Sequence, residues 1–266
     1  MHSEGSVQNG SMQNKVAIVT GAGQGIGAAT ARRMAEQGAA VMLIGRRIEP
    51  LEAVAGSISD MGGKAIAQSC DVSDEEAVNQ AVARCIEVFG GVDCVVNNAV
   101  LMVPGMLSNH STKAWRKNFE VSLDGAMFMM RAAFESLKQR RGSVVNVASV
   151  CGLAGSVGTA GYSAAKAAMI AMSRNAAIEW APHIRCNIVV PGAFLTPATE
   201  SVMPDEASQK ATAASIPLKR IGDPTECANA IVFLASEQAS YITGRSLIVD
   251  GGRTAELNTG SAQWED

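Results

Sequence analysis

Three side chains within residues 149–166 could exchange a proton with a carbonyl or hydroxyl group: Ser149, Tyr162 and Lys166. Tyr162 and Lys166 are four residues apart, so on a helix they lie one turn apart on the same face. Tyrosine has an unperturbed pKa of about 10, and a nearby ammonium stabilises the phenolate and lowers that pKa. Ser149 follows a strand-like run and could direct its hydroxyl to the oxygen that Tyr162 protonates. Together these side chains indicate proton transfer between a ketone and its alcohol.

A tyrosine and a lysine at this spacing are a weak signal by themselves, because such a pair more often lies on a helix surface. The interpretation therefore depends on the elements that surround the pair. A binding site for a redox coenzyme would support it, since a ketone and its alcohol differ by a hydride as well as a proton.

A glycine-rich turn between a predicted strand and a predicted helix indicates a dinucleotide site. Residues 15–20 are an apolar, β-branched run typical of a buried parallel strand. Residues 21–27 follow with the sequence GAGQGIG, before an alanine-rich helical stretch that ends near Gln37. Glycines let the backbone approach a pyrophosphate closely, and the helix N-terminus offers free N–H groups and a favourable dipole.

The residues after the second predicted strand, 40–44, bear on the choice of coenzyme. An acidic residue here would accept hydrogen bonds from the ribose and repel a 2′-phosphate. The chain has Gly45, Arg46 and Arg47 instead, and guanidinium groups bind phosphate well. NADP(H) is therefore favoured. NAD(H) stays open, because a basic strand end is also an ordinary surface feature.

Strands and helices alternate along the whole chain. This order predicts right-handed crossovers and a parallel sheet. The expected fold is α/β, a Rossmann-type doubly wound parallel sheet of about seven strands with helices on both faces. Ligands bind beyond the carboxyl ends of such strands, where Gly21, Asp71, Asn98 and Ser149 fall. Asp71 could cap the next helix or accept a hydrogen bond from an adenine amino group.

We predict a single domain over residues 15–253, between a flexible N-terminal tail (1–14) and a C-terminal tail (254–266). Residues 111–139 are predicted to be one long helix, and residues 160–180 the helix that carries Tyr162 and Lys166. Residues 194–217 mix turn residues with short helical patches, which is typical of a mobile cover over a site.

Composition excludes several other classes of protein. The 266 residues are 47% hydrophobic and only 18% charged, which indicates a compact globule. A net charge of -3 gives no long-range attraction to nucleic acid, so no such partner is expected. Six scattered cysteines without a CxxC pair, and no apolar run long enough to span a bilayer, indicate a cytoplasmic protein with no membrane contact. Three isolated histidines have no metal-ligand spacing, so no metal is expected.

Five motifs, in this order, resemble the short-chain dehydrogenase/reductase (SDR) family in its compact branch of about 250 residues. They are Thr20 with the GAGQGIG turn, the Asn97-Asn98-Ala99 triplet, Ser149 thirteen residues before Tyr162, the YSAAK run that ends at Lys166, and Pro191-Gly192 with Thr196. The likeness spans nearly all of residues 15–252.

The resemblance implies a role for each matching position. Tyr162 would be the general acid or base, Ser149 would hold the substrate oxygen, and Lys166 would lower the pKa of Tyr162 and bind the nicotinamide ribose. The residues expected at the coenzyme are Gly21, Gln24, Gly25, Ile26, Gly27, Arg46, Arg47, Asp71, Val72, Asn98, Ala99, Tyr162, Lys166, Pro191, Gly192, Phe194 and Thr196.

The chain departs from the family pattern at several positions. The family usually has an asparagine seven residues after a tryptophan, where it supports a proton-relay water; counting from Trp115 gives Ser122. Ser122 is taken as a catalytic candidate, and Asn118, one turn earlier, could substitute for it. Val100 stands where glycine is common. Gln24 stands in a loop where many NADP-preferring relatives carry a basic residue.

The expected substrate wall is apolar, which suits an uncharged ketone or secondary alcohol with a ring or hydrocarbon body. Its candidate residues are Val100, Met102, Ser149, Cys151, Leu153, Phe194 and Met203. Two other functions remain open at this point: a catalytically silent dinucleotide-binding regulator or redox sensor, and an epimerase or dehydratase. The family likeness also implies a homotetramer, or a homodimer, formed through the two long helices and the last strand.

Overall fold

One seven-stranded parallel sheet runs through the residues that the computed structural model describes, 10–197, 199 and 203–255. The strands are β1 (Val16–Thr20), β2 (Ala40–Gly45), β3 (Lys64–Ser69), β4 (Cys94–Asn97), β5 (Ser143–Val147), β6 (Arg185–Pro191) and β7 (Ser246–Val249). Their order across the sheet is β3-β2-β1-β4-β5-β6-β7. The order reverses direction beside β1, so the carboxyl ends of β1 and β4 open the crevice in which doubly wound sheets bind ligands.

Helices cover both faces of this sheet. They are α1 (Gly25–Glu36), α2 (Ile48–Asp60), α3 (Glu75–Phe89), α4 (Thr112–Phe119), α5 (Gly125–Arg140), α6 (Ala160–Glu179), α7 (Glu206–Ala214) and α8 (Pro224–Ala235). Side chains alternate along a strand: Val19 of β1 faces the core under α1, α2 and α8, and Ile18 faces the core under α3, α5 and α6. The predicted fold class is confirmed.

The predicted long helical segment over residues 111–139 is helical from Thr112 to Arg140, but it consists of two α-helices. A π-helical turn, Glu120–Asp124, joins α4 to α5. Such a turn accommodates one additional residue through i to i+5 hydrogen bonds, while the spacing of apolar residues on either side stays helical. The spacing of the apolar residues therefore predicts a single helix across this turn.

The ordered domain begins before Lys15. Met12 is buried, and its N–H donates to the carbonyl of Gln37 at 3.1 Å. The backbone and hydroxyl of Ser11 both donate to the Gln37 side chain. The segment thus packs at the end of α1, and the predicted flexible tail extends too far. Residues 1–9, and 256–266 of the predicted C-terminal tail, lie outside the described residues.

The predicted cover, residues 194–217, contains a regular helix. Asp205 caps α7 in a reciprocal capping box with Ser208, which is a strong start signal for a helix. Residues 198 and 200–202 lie outside the part of the chain that the structure describes. The mobility of the cover stays a prediction.

Candidate active site

The glycine turn after β1 has the backbone shape that a phosphate site needs. Gly21 and Gly25 have φ of +64° and +54°, a region that side chains with a Cβ rarely adopt. A Cβ on Gly27 would lie 2.2 Å from the Gly21 carbonyl oxygen, so only glycine lets α1 start this close to the turn. The Gln24 side chain turns to Arg47 and leaves the first turn of α1 uncapped among the described residues. This helix N-terminus therefore offers N–H groups to an anion.

Asn98 and Thr20 hold the turn against the end of β4. The Asn98 amide donates to the carbonyls of Thr20 at 2.9 Å and Gly21 at 3.3 Å. The Thr20 hydroxyl accepts from the N–H groups of Asn98 and Ala99, each at 3.0 Å. Asn98 was predicted to bind the coenzyme, and the structure shows that its amide shapes the glycine turn. Thr20 was noted only as part of the motif, yet it fixes two backbone groups at the site.

A cavity of about 600 Å³ opens at the carboxyl ends of β1, β2, β3 and β4. Of the predicted coenzyme residues, it is lined by Gly21, Gln24, Gly25, Ile26, Arg46, Arg47, Asp71, Val72, Asn98, Ala99 and Thr196. Sequence reasoning missed further lining residues, namely Gly23, Gly45, Pro50, Leu51, Cys70 and Val121. Most of these residues are close in sequence to predicted coenzyme residues. That closeness is the sequence signal that could have identified them.

Asp71 lies at the β3 end of this cavity. Asp74, and not Asp71, caps α3 by accepting from the N–H groups of Glu76 and Ala77. Asp71 accepts from the N–H and hydroxyl of Ser73 instead, at 3.0 and 2.7 Å. Burial acts to raise the pKa of Asp71, but the Ser73 hydrogen bonds and the charges of Arg46 and Lys117 outweigh it and hold the pKa below its usual value. Asp71 is therefore an ionised acceptor.

Cations surround the β2 and β3 ends of the cavity. Arg47 donates to the Gln24 side chain at 3.2 Å, so the glycine turn holds this guanidinium in place. The Ser69 hydroxyl donates to the Arg46 carbonyl at 3.0 Å. Lys117, which sequence reasoning missed, approaches the same end from α4 and forms an ion pair with Glu120 at 2.5 Å. The residues at the end of β2 and directly after it, Gly45, Arg46 and Arg47, include no carboxylate that would repel a phosphate.

The three proton-transfer candidates meet at the carboxyl end of β5. Ser149 is buried, and its hydroxyl accepts from the Cys151 N–H at 3.2 Å. Tyr162 and Lys166 are both on α6, as predicted, with the Lys166 Nζ 5.9 Å from the centroid of the Tyr162 ring. Burial raises the pKa of Tyr162 to about 12, although a hydrogen bond with Ser149 acts to lower it.

Lys166 differs from the expectation in one respect. Its side chain is fully buried, and its Nζ donates to the Val147 carbonyl at 2.6 Å. Burial lowers the pKa of Lys166 to about 7. The pKa of Tyr162 is raised in this structure, and the group that opposes the rise is Ser149. The lowering of the Tyr162 pKa that was expected from Lys166 is therefore not seen.

Ser122 lies in the π-helical turn, fully buried. Its hydroxyl donates to the Leu101 carbonyl at 3.5 Å, the outer limit of a hydrogen bond. Asn118 is also fully buried, and its amide is bonded to Val103 and Ala114. Both amide atoms of Asn118 thus have protein partners, which argues against its use as a replacement relay residue.

Two predicted residues have buried side chains instead of lining the cleft. Phe194 is 4% exposed and packs on Gly222, where a Cβ would be 2.5 Å from its ring. Met203 is also 4% exposed. Phe194 belongs to the core under α1 and α8, and its side chain does not line the cavity described above. Gly192, after Pro191 at the end of β6, approaches Asp250 so closely that a Cβ would lie 2.6 Å from the Asp250 Cβ.

Of the other predicted substrate residues, Val100 lines the cavity described above, and the Cys151 N–H donates to the Ser149 hydroxyl. Val100 and Leu153 are exposed, and Met102 and Cys151 are partly buried. The N–H of Gly105 donates to the Gly158 carbonyl at 2.9 Å, which joins the segments that carry them. These two segments are the candidate mouth of the cleft, and the four predicted side chains on them carry no charge.

Known proteins are similar to this chain in sequence and in fold. A family model described as enoyl-(acyl carrier protein) reductase matches residues 21–254. The chain is 38% identical over 243 residues to 2,5-dichloro-2,5-cyclohexadiene-1,4-diol dehydrogenase LinX of Sphingobium indicum, which covers 91% of this chain and 96% of that protein. It is 36% identical over 251 residues to L-rhamnose 1-dehydrogenase (NAD(P)(+)) of Azotobacter vinelandii, which covers 92% and 98%.

Among solved structures, a short-chain dehydrogenase/reductase described as glucose/ribitol dehydrogenase from Brucella melitensis superposes with a TM-score of 0.87. It is 32% identical and covers 92% of this chain and 99% of that one. The family model spans the glycine turn, the serine and the tyrosine–lysine helix. The chain therefore belongs to the short-chain dehydrogenase/reductase family and is an NAD(P)-dependent oxidoreductase that acts on CH–OH groups.

Proposed function

We propose that this enzyme interconverts a ketone and a secondary alcohol on an apolar, ring-bearing substrate, with Tyr162 as general acid and base. The observation that carries the proposal is the convergence of Ser149, Tyr162 and Lys166 at the end of β5, beside the cavity of about 600 Å³. In the reducing direction Tyr162 gives its proton to the carbonyl oxygen. In the oxidising direction the tyrosinate removes the hydroxyl proton.

The residues at the glycine turn fit a nicotinamide dinucleotide. The left-handed glycines and the uncapped start of α1 suit the pyrophosphate, and Asp71 suits the adenine amino group as a charged acceptor. When bound, the coenzyme donates or accepts the hydride, and the protein manages the proton and the orientation. Ser149 holds the substrate oxygen next to Tyr162, and Lys166, when protonated, supplies positive charge under the tyrosine and toward the nicotinamide ribose.

The apolar mouth favours a substrate with a ring or hydrocarbon body. Val100, Met102 and Leu153 offer no charge to pair with a carboxylate or phosphate. The relative from Sphingobium indicum is named for a chlorinated cyclic diol, a compound of this kind. The other relative is named for a sugar. The two relatives thus differ in substrate, and the residues of the substrate wall must determine which substrate this enzyme accepts.

For the coenzyme, we propose NADP(H) over NAD(H). Arg46, Arg47 and Lys117 bring three cations to the end of the cavity where the adenosine ribose would lie. Gln24, where many NADP-preferring relatives carry a basic residue, positions Arg47 by a hydrogen bond. Arg47, which follows β2, thereby supplies the positive charge that the glycine turn lacks.

The first experiment follows the oxidation of NADPH and of NADH with a panel of cyclic and aryl ketones. We expect turnover with both coenzymes and a higher kcat/KM with NADPH. In an Arg46→Ala, Arg47→Ala double variant, NADPH should lose affinity by about 100-fold because two guanidinium–phosphate contacts are lost, whereas NADH affinity should change little.

Arg84→Ala, an exposed position on α3, is the matched control. Equal affinities of the wild type for NADPH and NADH would contradict the coenzyme preference. Coenzyme binding without turnover of any ketone would instead support the regulator that the sequence left open.

We further propose a homotetramer. Ile178 of α6 is 77% exposed, and Leu247 and Ile248 of the edge strand β7 are exposed as well; apolar groups on these elements favour contacts between copies. Sedimentation equilibrium should give four times the chain mass of 27.6 kDa, and a monomer at micromolar concentration would contradict it. The six cysteines are all free, which favours a reducing, cytoplasmic compartment.

A further inference from the structure

The segment of residues 100–110, here named the wall loop, connects β4 to α4 beside the substrate cleft. Met106 and Leu107 on this loop are 54% and 73% exposed. Leu153 and Val157 are exposed on the opposite segment, which the loop meets through the Gly105 to Gly158 hydrogen bond. Since these apolar side chains stand at the mouth of the cleft, the position of the wall loop sets the width of that mouth.

One buried side chain holds the middle of this loop. The Asn118 Oδ1 accepts from the N–H of Val103 at 3.0 Å. Its Nδ2 donates to the Ala114 carbonyl at 2.9 Å and to the Val103 carbonyl at 3.4 Å. Both backbone groups of Val103 are therefore tied to α4 by a single amide. Because Asn118 is 0% exposed, water does not compete for these bonds.

Asn118 also contacts the start of the catalytic helix. A Cβ placed on Gly161, the residue before Tyr162, would lie 2.9 Å from the Asn118 Nδ2 and 3.3 Å from the His110 Nε2. The amide thus packs between the wall loop and the first turn of α6. A displacement of the loop relative to α6 would change the distance between the apolar mouth and the Tyr162 hydroxyl.

We propose that Asn118 is a positioning residue for substrate recognition: it fixes the wall loop relative to Tyr162 and so sets which apolar ketones fit the cleft. The inference rests on the proposed ketone reductase function. It assigns Asn118 no part in proton transfer, because its carboxamide oxygen and nitrogen are bonded to the backbone of Val103 and Ala114. The substrate class it selects is an uncharged ketone whose ring or hydrocarbon body extends to the mouth.

The kinetic test compares Asn118→Ala with Asn79→Ala, an exposed asparagine on α3. For a bulky aryl ketone, Asn118→Ala should raise KM by about 10-fold and leave kcat within about 2-fold, because it removes binding shared by ground and transition states. The kcat/KM ratio between a bulky and a small ketone should fall, and the affinity for NADPH should stay unchanged. An unchanged ratio, or an equal loss of kcat for every ketone with a shifted pH profile, would overturn the proposal.

Asn118→Asp gives a second, pH-dependent readout. Its carboxylate keeps the acceptor for the Val103 N–H but places a charged oxygen against the carbonyls of Ala114 and Val103. A protonated acid restores the donor. The KM of this variant relative to the wild type should therefore fall as the pH is lowered from 8 to 5.5. A ratio that does not vary with pH would contradict the hydrogen-bond assignment.

Hydrogen exchange separates failure of this inference from failure of the proposed function. Asn118→Ala should speed amide exchange in the wall loop and leave the β1–α1 turn protected, whether or not any ketone is turned over. Gly161→Ala should have the same effect on the loop, since its Cβ would displace the Asn118 amide. If the wild type reduces no ketone, the proposed function fails; if exchange in the loop is unaltered in both variants, the anchoring role fails.

Discussion

Tyr162→Phe is expected to abolish most of the turnover of this enzyme and to leave its fold intact. The phenol is the group placed to give or take the substrate proton, and general acid–base catalysis contributes about 100-fold to 10,000-fold. Phenylalanine keeps the ring and its packing on α6 and removes only the oxygen that hydrogen-bonds with Ser149. The loss should appear in kcat for both reduction and oxidation, measured by NADPH absorbance at saturating coenzyme.

The chain contains a matched control, because its other tyrosine, Tyr241, is fully exposed. Tyr241→Phe should keep the kcat of the wild type. NADPH titration should show that Tyr162→Phe still binds coenzyme within a few-fold of the wild type, so that the loss is one of chemistry. A Tyr162→Phe variant that retained a tenth or more of the kcat would contradict the proton-transfer role.

Much of this site was predictable because the carboxyl ends of parallel strands share one edge of the sheet. Gly21, Asp71, Asn98 and Ser149 were expected at that edge from their positions after four apolar runs, and they lie there. The strand–glycine–helix order likewise predicted the left-handed turn, because only glycine adopts that backbone at low cost.

Other features depend on contacts between distant parts of the chain, which no local pattern encodes. Phe194 is buried because Gly222, twenty-eight residues later, leaves room for its ring. The π-helical turn preserves the apolar spacing on both sides and therefore has no signature in the sequence. Asn118 looked like a substitute relay residue until the structure showed that the wall loop returns to it at Val103.

The second large effect is expected for Lys166→Met. Within the described part of the chain, the buried Lys166 Nζ donates to one acceptor, the Val147 carbonyl, and it lies 5.9 Å from the Tyr162 ring centroid. Replacing it removes the group that, when protonated, would stabilise the tyrosinate during alcohol oxidation, and we expect kcat to fall by about 100-fold or more. Methionine is similar in length and apolar, so the core around this position should remain filled.

The same substitution should change how stability depends on pH. The pKa of Lys166 is about 7 in the folded protein and 10.5 in the unfolded chain, so between these values the unfolded state binds more protons. The free energy of unfolding therefore rises with pH across this interval, by up to about 1.4 kcal/mol per unit, and this contribution is lost as the pH falls toward 7. Urea unfolding at matched protein concentration, from pH 7 to 9.5, should show a shallower rise for Lys166→Met.

Lys64→Met, at an exposed position on β3, is the control for the loss of one lysine. It should keep the pH slope of the wild type, since an exposed ammonium is solvated in both states. Lys166→Met should differ from it in this slope even if the two variants are equally stable at pH 7. The slope depends on the difference in bound protons between the unfolded and folded states, and packing contacts do not change it. Parallel curves for the two variants would mean that Lys166 stays charged in the folded protein at neutral pH. Its burial would then be offset by a stronger interaction than the Val147 carbonyl provides.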